Sequence, residues 1–465
     1  MPTAETQRQS WRFPAVFWVA NFAELLERAA YYGMFITATF YLTDVVKFND
    51  INTSYLVAAF SASIYLFPTF SGAIADKIGF RPALILAFAL LTVGYGLLGA
   101  LPSKAGAIFS LCLVVAGASF VKPVIMGTAA KVSTAQTRAR AFSLFYWTVN
   151  IGGFSGKTAA APLREHLGLV YINYYAAAMA FVALIWVALF FHPRKDDGPT
   201  RSLSEVLAGF GRVLRNGRFM ALILIVSGFW MIQGQIYAAM PKYILRLLGD
   251  SAKPEWLANV NPFVVVLGVV PITHLIRNMK PVNTITIAML IVPFSALVMS
   301  LSPLLEKVTG SSVSWFFGLH PITVMVIGGI VITGVAECFL SPKFFEYASK
   351  QAPPGEEGLY MGYQNLTVFF AWSISFSLSG HLVDAFFPDP KNLPPEAFEQ
   401  WKAAIATGSA MPVQYAHAHY IWYVYAAIGA AAFVALCIFR WYTNQVDARR
   451  AAMAAIGDVA ALSRK

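Results

Sequence analysis

Long apolar runs broken by short polar stretches occupy almost the whole chain. A helix of about 20 mostly apolar residues crosses the hydrocarbon core of a bilayer. Windows of that kind fall at 13–43, 53–75, 82–101, 106–130, 139–161, 168–191, 219–247, 255–276, 281–302, 319–348, 357–387 and 415–441. The pattern predicts an all-α polytopic membrane protein with twelve transmembrane helices. A polar segment at 193–218 divides the windows six and six, giving an N-terminal bundle over 1–192, a linker, and a C-terminal bundle over 219–465. Within the linker, Ser202-Leu-Ser-Glu205 has the spacing of a helix entry. The Pro394-Pro395-Glu396-Ala397 run predicts a short helix in the loop near 388–413.

Composition agrees with the pattern: 58% of residues are apolar and 12% charged, outside the range of soluble domains. The net charge of +11 is explained by topology. Arg8, Arg12, Lys77, Arg81, Lys131, Arg138, Arg140, Arg194, Arg218, Arg277, Lys280, Arg449 and Arg450 fall on one side if both termini are cytoplasmic. That side faces anionic headgroups, so the basic excess does not point to nucleic acid. The expected location is the plasma or inner membrane, multi-pass. The first span lacks the short apolar core and small-residue cleavage site of a signal peptide and is expected to remain as a helix.

Against this background Glu24, Glu27 and Arg28 stand out, because they lie in the middle of the first span. Each ionisable group at the centre of a bilayer costs roughly 2.5–3.5 kcal/mol on insertion scales, so such groups face a polar interior and carry function by default. At 3.6 residues per turn Glu24, Glu27, Arg28 and Tyr31 form one stripe, with Glu24 and Arg28 in i,i+4 contact. A structural ion pair needs one acid and one base; here a second acid is left over. Lys122 and Lys157 also lie inside spans, and Lys157 is seven residues beyond Asn150 on the same helix face. Lys157 alternatively snorkels to the outer interface beside Arg164. In the second half Glu337 is expected to be the main interior charge. A carboxylate that exchanges cation partners between two conformations takes up a proton in one and releases it in the other, and Glu27 alternating toward Lys122 suits that role. Tyr31, Tyr65, Tyr146, Asn150 and Asn261 are candidate pocket residues that also serve as ordinary helix packing. Cys112, Cys338 and Cys437 lie in spans without metal-ligand spacing and are expected to be core residues. His417 and His419 have no third ligand nearby. No nucleophile triad, zinc, phosphate-loop or dinucleotide motif is present, so neither an enzyme, a metal site nor an organic cofactor is expected; the proton is the coupling ion.

Glu24-Leu-Leu-Glu27-Arg28-Ala-Ala-Tyr31-Tyr32-Gly33 resembles the E-x-x-E-R-F-x-Y-Y-G signature of the proton-dependent oligopeptide transporter (peptide/nitrate) family of the major facilitator superfamily. Further matches follow in the family's order: Tyr65-Leu-Phe-Pro68, Lys122-Pro123, Phe142-x-x-Phe145-Tyr146-x-x-x-Asn150-x-Gly152, Phe229-Trp230, Asn261-Pro262, Glu337-x-x-x-Ser341-Pro342 and Met361-Gly362. Gly72-x-x-x-Asp76-Lys77-x-Gly79 between spans 2 and 3 is similar to the facilitator loop signature. The resemblance implies a facilitator fold with its pathway between the two halves. It also implies proton coupling through Glu24, Glu27, Arg28 and Lys122. Substrate contacts would come from Tyr31, Tyr65, Lys122, Tyr146, Asn150, Gln233, Asn261, Glu337 and Ser341, with Lys157 added from the residues alone.

Three positions depart from the family. Its second helix 1 arginine falls on Phe35, its helix 7 acid on Gly234, and its helix 11 tryptophan on Gln364. The reading implied is a monomeric symporter that imports short peptides with protons by alternating access. Two alternatives stay open: a proton-coupled carrier of a non-peptide anionic or zwitterionic metabolite, and a membrane receptor or scaffold that binds solute without moving it.

Overall fold

The computed structural model describes residues 13–133, 137–193, 203–249, 252–351, 363 and 365–462, and these are helical almost throughout. In the first half α1 (Ala15–Phe40) is followed by α2 (Asp50–Leu66) and α3 (Pro68–Ile78), then α4 (Phe80–Ala100), α5 (Lys104–Lys131), α6 (Arg138–His166) and α7 (Leu169–Phe190). After α8 (Leu203–Arg215), the second half contains α9 (Gly217–Gln233), α10 (Met240–Leu248), α11 (Pro254–Leu257), α12 (Val260–Leu275), α13 (Pro281–Ser300), α14 (Ser302–Thr309), α15 (Pro321–Gln351), α16 (Leu366–Phe386), α17 (Pro395–Thr407) and α18 (Tyr420–Leu462).

Nine helical units among the described residues are long and apolar enough to cross a membrane, and α2 with α3 makes a tenth, bent by 47°. The bend falls where Pro68 starts a new helix, as proline's missing N–H and fixed φ require. α1 and α6 are as long, with 26 and 29 residues, and are set apart by their polar content. They are the helices that carry Glu24, Glu27 and Arg28, and Asn150 and Lys157. With α1 and α6 counted, the described helices are consistent with the twelve windows of the sequence. Boundaries move at the end: α18 runs 43 residues to Leu462, well past 441, because the Ala-rich continuation contains no proline and one glycine. Much of the expected eleventh span before Leu366 lies outside the described residues.

Within the first half α1 packs on α6 and α7, and α4 on α5 and α7; within the second, α13 packs on α15 and α18, and α9 on α16 and α18. The halves meet chiefly where α2 packs along α16. Small residues set that approach: a Cβ at Gly380 would lie 2.2 Å from Ser54 Oγ, so only glycine lets the helices close to this distance. The linker helix α8 presents Val206, Phe210 and Val213 inward. Phe210 meets Phe70 of α3 edge-on at 5.8 Å and Tyr363 at a tilt at 5.6 Å, so the linker touches both halves on the face of the N-terminus.

Two expectations are corrected here. Cys338 is buried, but Cys112 and Cys437 are exposed on helix surfaces. Glu337 is not the main interior charge of the second half, because Lys242, Arg246 and Lys343 are buried as well.

Candidate functional site

The site begins where α1 and α6 come together. A Cβ at Gly156 would sit 2.2 Å from Ala29 O, and one at Gly152 would sit 2.6 Å from Leu25 O; without side chains there, the backbones meet directly. The polar stripe of α1 lies buried beside this contact. Arg28 Nε donates to Glu27 Oε2 at 2.5 Å and lies 3.4 Å from Glu24 Oε1. Its guanidinium lies 5.0 Å from the Tyr31 ring centre and 5.8 Å from that of Tyr32, a cation–π geometry. Glu24 and Glu27 are buried, with both Glu24 oxygens and Glu27 Oε1 lacking hydrogen-bond donors. Lys122 stands within electrostatic range of Arg28, Glu24 and Glu27, without a direct ion pair to either acid. One arginine therefore holds two carboxylates, and a second cation waits beside them.

Lys157 is also buried. It does not snorkel beside Arg164: its ammonium donates to Ala258 O of the second half at 3.1 Å and lies 5.6 Å and 5.8 Å from the rings of Tyr32 and Tyr237. Tyr32 thus has Arg28 and Lys157 both near its ring. Opposite, Asn261 Nδ2 donates to Glu337 Oε2 at 3.2 Å, and Glu337 is within electrostatic range of Lys157, Tyr65 and Tyr146. Tyr146 exposes 41% of its surface. Asn150 turns its amide onto the Tyr146 carbonyl at 2.8 Å. Ser341 lies half-buried one turn beyond Glu337 on α15.

Tyr31 is packed rather than open, stacked between Phe35 at 5.1 Å and Phe60 at 6.3 Å. Gln233 is buried at the end of α9, where the chain tightens into a 3₁₀ turn over Gly234–Ile236. The three departures acquire a physical account in part. Phe35 stacks on Trp372 of α16 at 5.7 Å and on Tyr237 at 5.2 Å, and Trp372 stacks on Phe376 at 5.0 Å and meets Tyr65 edge-on at 5.1 Å. Gly234 is the floor of that stack: a Cβ there would lie 2.8 Å from both Trp372 and Phe376. An aromatic wall therefore fills the place of an arginine and an acid. Gln364 lies outside the described residues.

The face opposite the N-terminus is closed by ion pairs between the halves. Asp50, at the start of α2, is bonded by Lys242 and held by Arg246 through Nη1 at 2.9 Å and Nη2 at 3.0 Å. Arg246 also donates to Phe387 O at 2.8 Å and lies 3.5 Å from Asp389. Arg164 Nε donates to Glu255 at 2.6 Å, with Lys253 and Glu165 beside them at 3.2 Å. Sequence reasoning missed Tyr32, Tyr237, Trp372 and this far-face network. The signal available for the network was Lys242 and Arg246 inside an expected span.

A family model described as Major Facilitator Superfamily matches residues 18–376. Among curated proteins, Multidrug resistance protein MdtH of Photorhabdus laumondii is 23% identical over 316 residues, 68% of this chain and 73% of that one. Dipeptide and tripeptide permease A of Escherichia coli is 23% identical over 404 residues, covering 72% and 80%. Of solved structures, the POT family transporter PepTSo superposes with a TM-score of 0.70 over 93% of this chain and 99% of that one, at 17% identity. A POT family transporter in complex with 5-aminolevulinic acid does so with a TM-score of 0.70 at 18% identity, over 94% and 98%. Long helical units packed in two halves, a buried charged stripe in the first of them and a family model over most of the chain agree: this protein belongs to the Major Facilitator Superfamily, with the fold of a multi-pass membrane transporter.

Proposed function

We propose that this protein is a proton-coupled importer of short peptides or peptide-like zwitterions, working as a monomer in the cell membrane with both termini cytoplasmic. The observation that carries the reading is the pairing in α1: Glu24 and Glu27 share Arg28, with Lys122 within range and not directly paired. A carboxylate with two alternative cation partners changes its proton affinity as partners change, which couples a proton to a conformational step. Bundles 1–192 and 219–465 rock about the site, with 193–218 as their tether. With the far face, outer in the proposed orientation, held by ion pairs between the halves, this arrangement suits the inward-facing state. Glu337, oriented by Asn261, receives the solute's ammonium. That relatives are called a dipeptide and tripeptide permease and peptide transporters supports the substrate class.

A second reading, a non-peptide amphiphile, is favoured by the wall of Phe35, Trp372, Tyr237 and Phe376, which offers apolar faces where a peptide carrier of the resembling family has a charge pair.

The deciding experiment is uptake of labelled dialanine into proteoliposomes with an inward proton gradient and with that gradient collapsed. Accumulation that depends on the gradient is expected. Uptake that only equilibrates, or none in folded protein, overturns peptide symport and turns the search to apolar zwitterions.

A further inference from the structure

Lys157 has a role that the helix 1 cluster does not supply. Its ammonium carries three donors, yet one acceptor is in place, the Ala258 carbonyl across the seam at 3.1 Å. The rings of Tyr32 and Tyr237 lie beside it, with Glu337 within electrostatic range but not bonded to it. A buried ammonium with one neutral acceptor is poorly compensated, and an ionised partner gives a stronger hydrogen bond. The groups facing it are already engaged: Arg28 with Glu24 and Glu27, and Glu337 with Asn261. Ala258 O reaches Lys157 only because α11 is docked on α6. The same docking joins Asn259 Nδ2 to Thr158 Oγ1 at 2.9 Å, Trp256 Nε1 to Thr158 O at 3.2 Å, and Arg164 to Glu255. Alternating access separates these contacts, so opening the far face removes the acceptor and leaves the ammonium beside two aromatic faces at the pathway wall.

Resting on the symport reading above, we propose that Lys157 is the outward-state anchor for the solute's carboxylate, and that Ala258 O occupies the carboxylate's position when the outer face is shut. Closure of α11 then competes directly with the bound carboxylate and moves it inward, toward Lys122. The solute class follows: a small acid whose carboxylate meets Lys157, whose flat or apolar part lies on Tyr32 and Tyr237, and whose ammonium reaches Glu337. Lys122, held near two acids, is not the first contact.

The test compares dialanine with its C-terminal amide, alanyl-alaninamide, by thermal stabilisation of the purified full-length protein. It uses wild type, Lys157→Met, Lys157→Arg and, as a seam control, Asn259→Ala. Wild type is expected to prefer the acid. Lys157→Met should weaken dialanine about tenfold or more, the worth of one charge-assisted hydrogen bond, and the amide far less. Lys157→Arg should retain the preference, and Asn259→Ala should leave it unchanged. Equal losses for acid and amide in Lys157→Met would make Lys157 a seam contact only and overturn the proposal. A wild type without preference for the acid, binding of neither included, overturns it too. Proton-driven uptake of a solute lacking a carboxylate would leave symport standing while this inference fails.

Discussion

The helix 1 cluster and the far-face cluster contain the same chemistry, carboxylates against arginine and lysine in a dry interior, and differ in how the charges are satisfied. At the far face Asp50 Oδ1 accepts from Lys242 and from Nη2 of Arg246, Nη1 of Arg246 lies 2.9 Å from Asp50 Oδ2, and Arg246 also donates to Phe387 O and lies 3.5 Å from Asp389. In α1, Arg28 divides itself between two acids, three carboxylate oxygens lack donors, and Lys122 is not directly paired. A buried pair is worth its desolvation only when its hydrogen bonds are complete. The far-face set is nearer complete: Asp50 Oδ1 has two donors and its Oδ2 has only the ion-pair contact with Arg246 Nη1. It spans the two halves; it is a clasp. The α1 set lies within one half and is incomplete; in the proposed mechanism it is the switch, open to a proton or a new partner.

The largest effect that tests this contrast is at Glu27. Glu27→Gln keeps the shape and removes the titration, so gradient-driven accumulation should vanish while counterflow exchange of dialanine continues. Unchanged accumulation in Glu27→Gln would place the switch elsewhere. Next is Asp50→Ala, which strands Lys242 and Arg246 without their shared carboxylate. Removing one partner of a buried pair costs roughly 3–5 kcal/mol, here charged against the closed far face alone. A cysteine at Ser54, in a background without the native cysteines, should therefore react with maleimide faster by about 100-fold or more. An unchanged labelling rate would show that the α2–α16 packing, not the ion pairs, holds that face.

How much of this was readable in the chain follows from where the signal lies. The α1 stripe was legible because three charges in an apolar run contradict their surroundings locally. The fold was legible for the same reason: hydropathy reports one residue's solvent at a time. Lys242 and Arg246 lie near a span end, where a cation ordinarily snorkels, and Asp50 lies at a helix start, where an acid ordinarily complements the dipole. Their meeting joins positions 192 and 196 residues apart, which no local pattern encodes. The aromatic wall was hidden differently. Phe35 and Gly234 were visible only as missing family charges, whereas Trp372, in an apolar helix, looks like packing until the stack places it on both.

That wall supports an intermediate prediction. Gly234→Ala drives a methyl into Trp372 and Phe376, both 2.8 Å from the added atom. Overpacking of this kind costs typically 1–3 kcal/mol and should lower the melting temperature of the purified protein, with Trp372→Leu in the same chain restoring most of it. Failure of the second change to rescue would mean that the glycine is needed for the 3₁₀ turn, not for the ring above it.

The smallest effect lies on the same face as the clasp and isolates burial as the variable. Lys391 donates to Asp44 at 2.9 Å, also between the halves, but both side chains are roughly half exposed, at 58% and 44%. Exposed pairs contribute about 0–1 kcal/mol and are screened by salt. Partial burial pushes the Lys391 ammonium down, and the Asp44 hydrogen bond and charge outweigh it, leaving the group above the ordinary lysine range. Its contribution is therefore complete below that range and is lost as pH rises through the raised value. Lys391→Ala should change maleimide labelling at Ser54→Cys by less than about fivefold, and 1 M salt should erase the difference. If Lys391→Ala opened the face as far as Asp50→Ala does, pairing across the seam would matter wherever it occurs, and the distinction between a buried clasp and a surface contact would collapse.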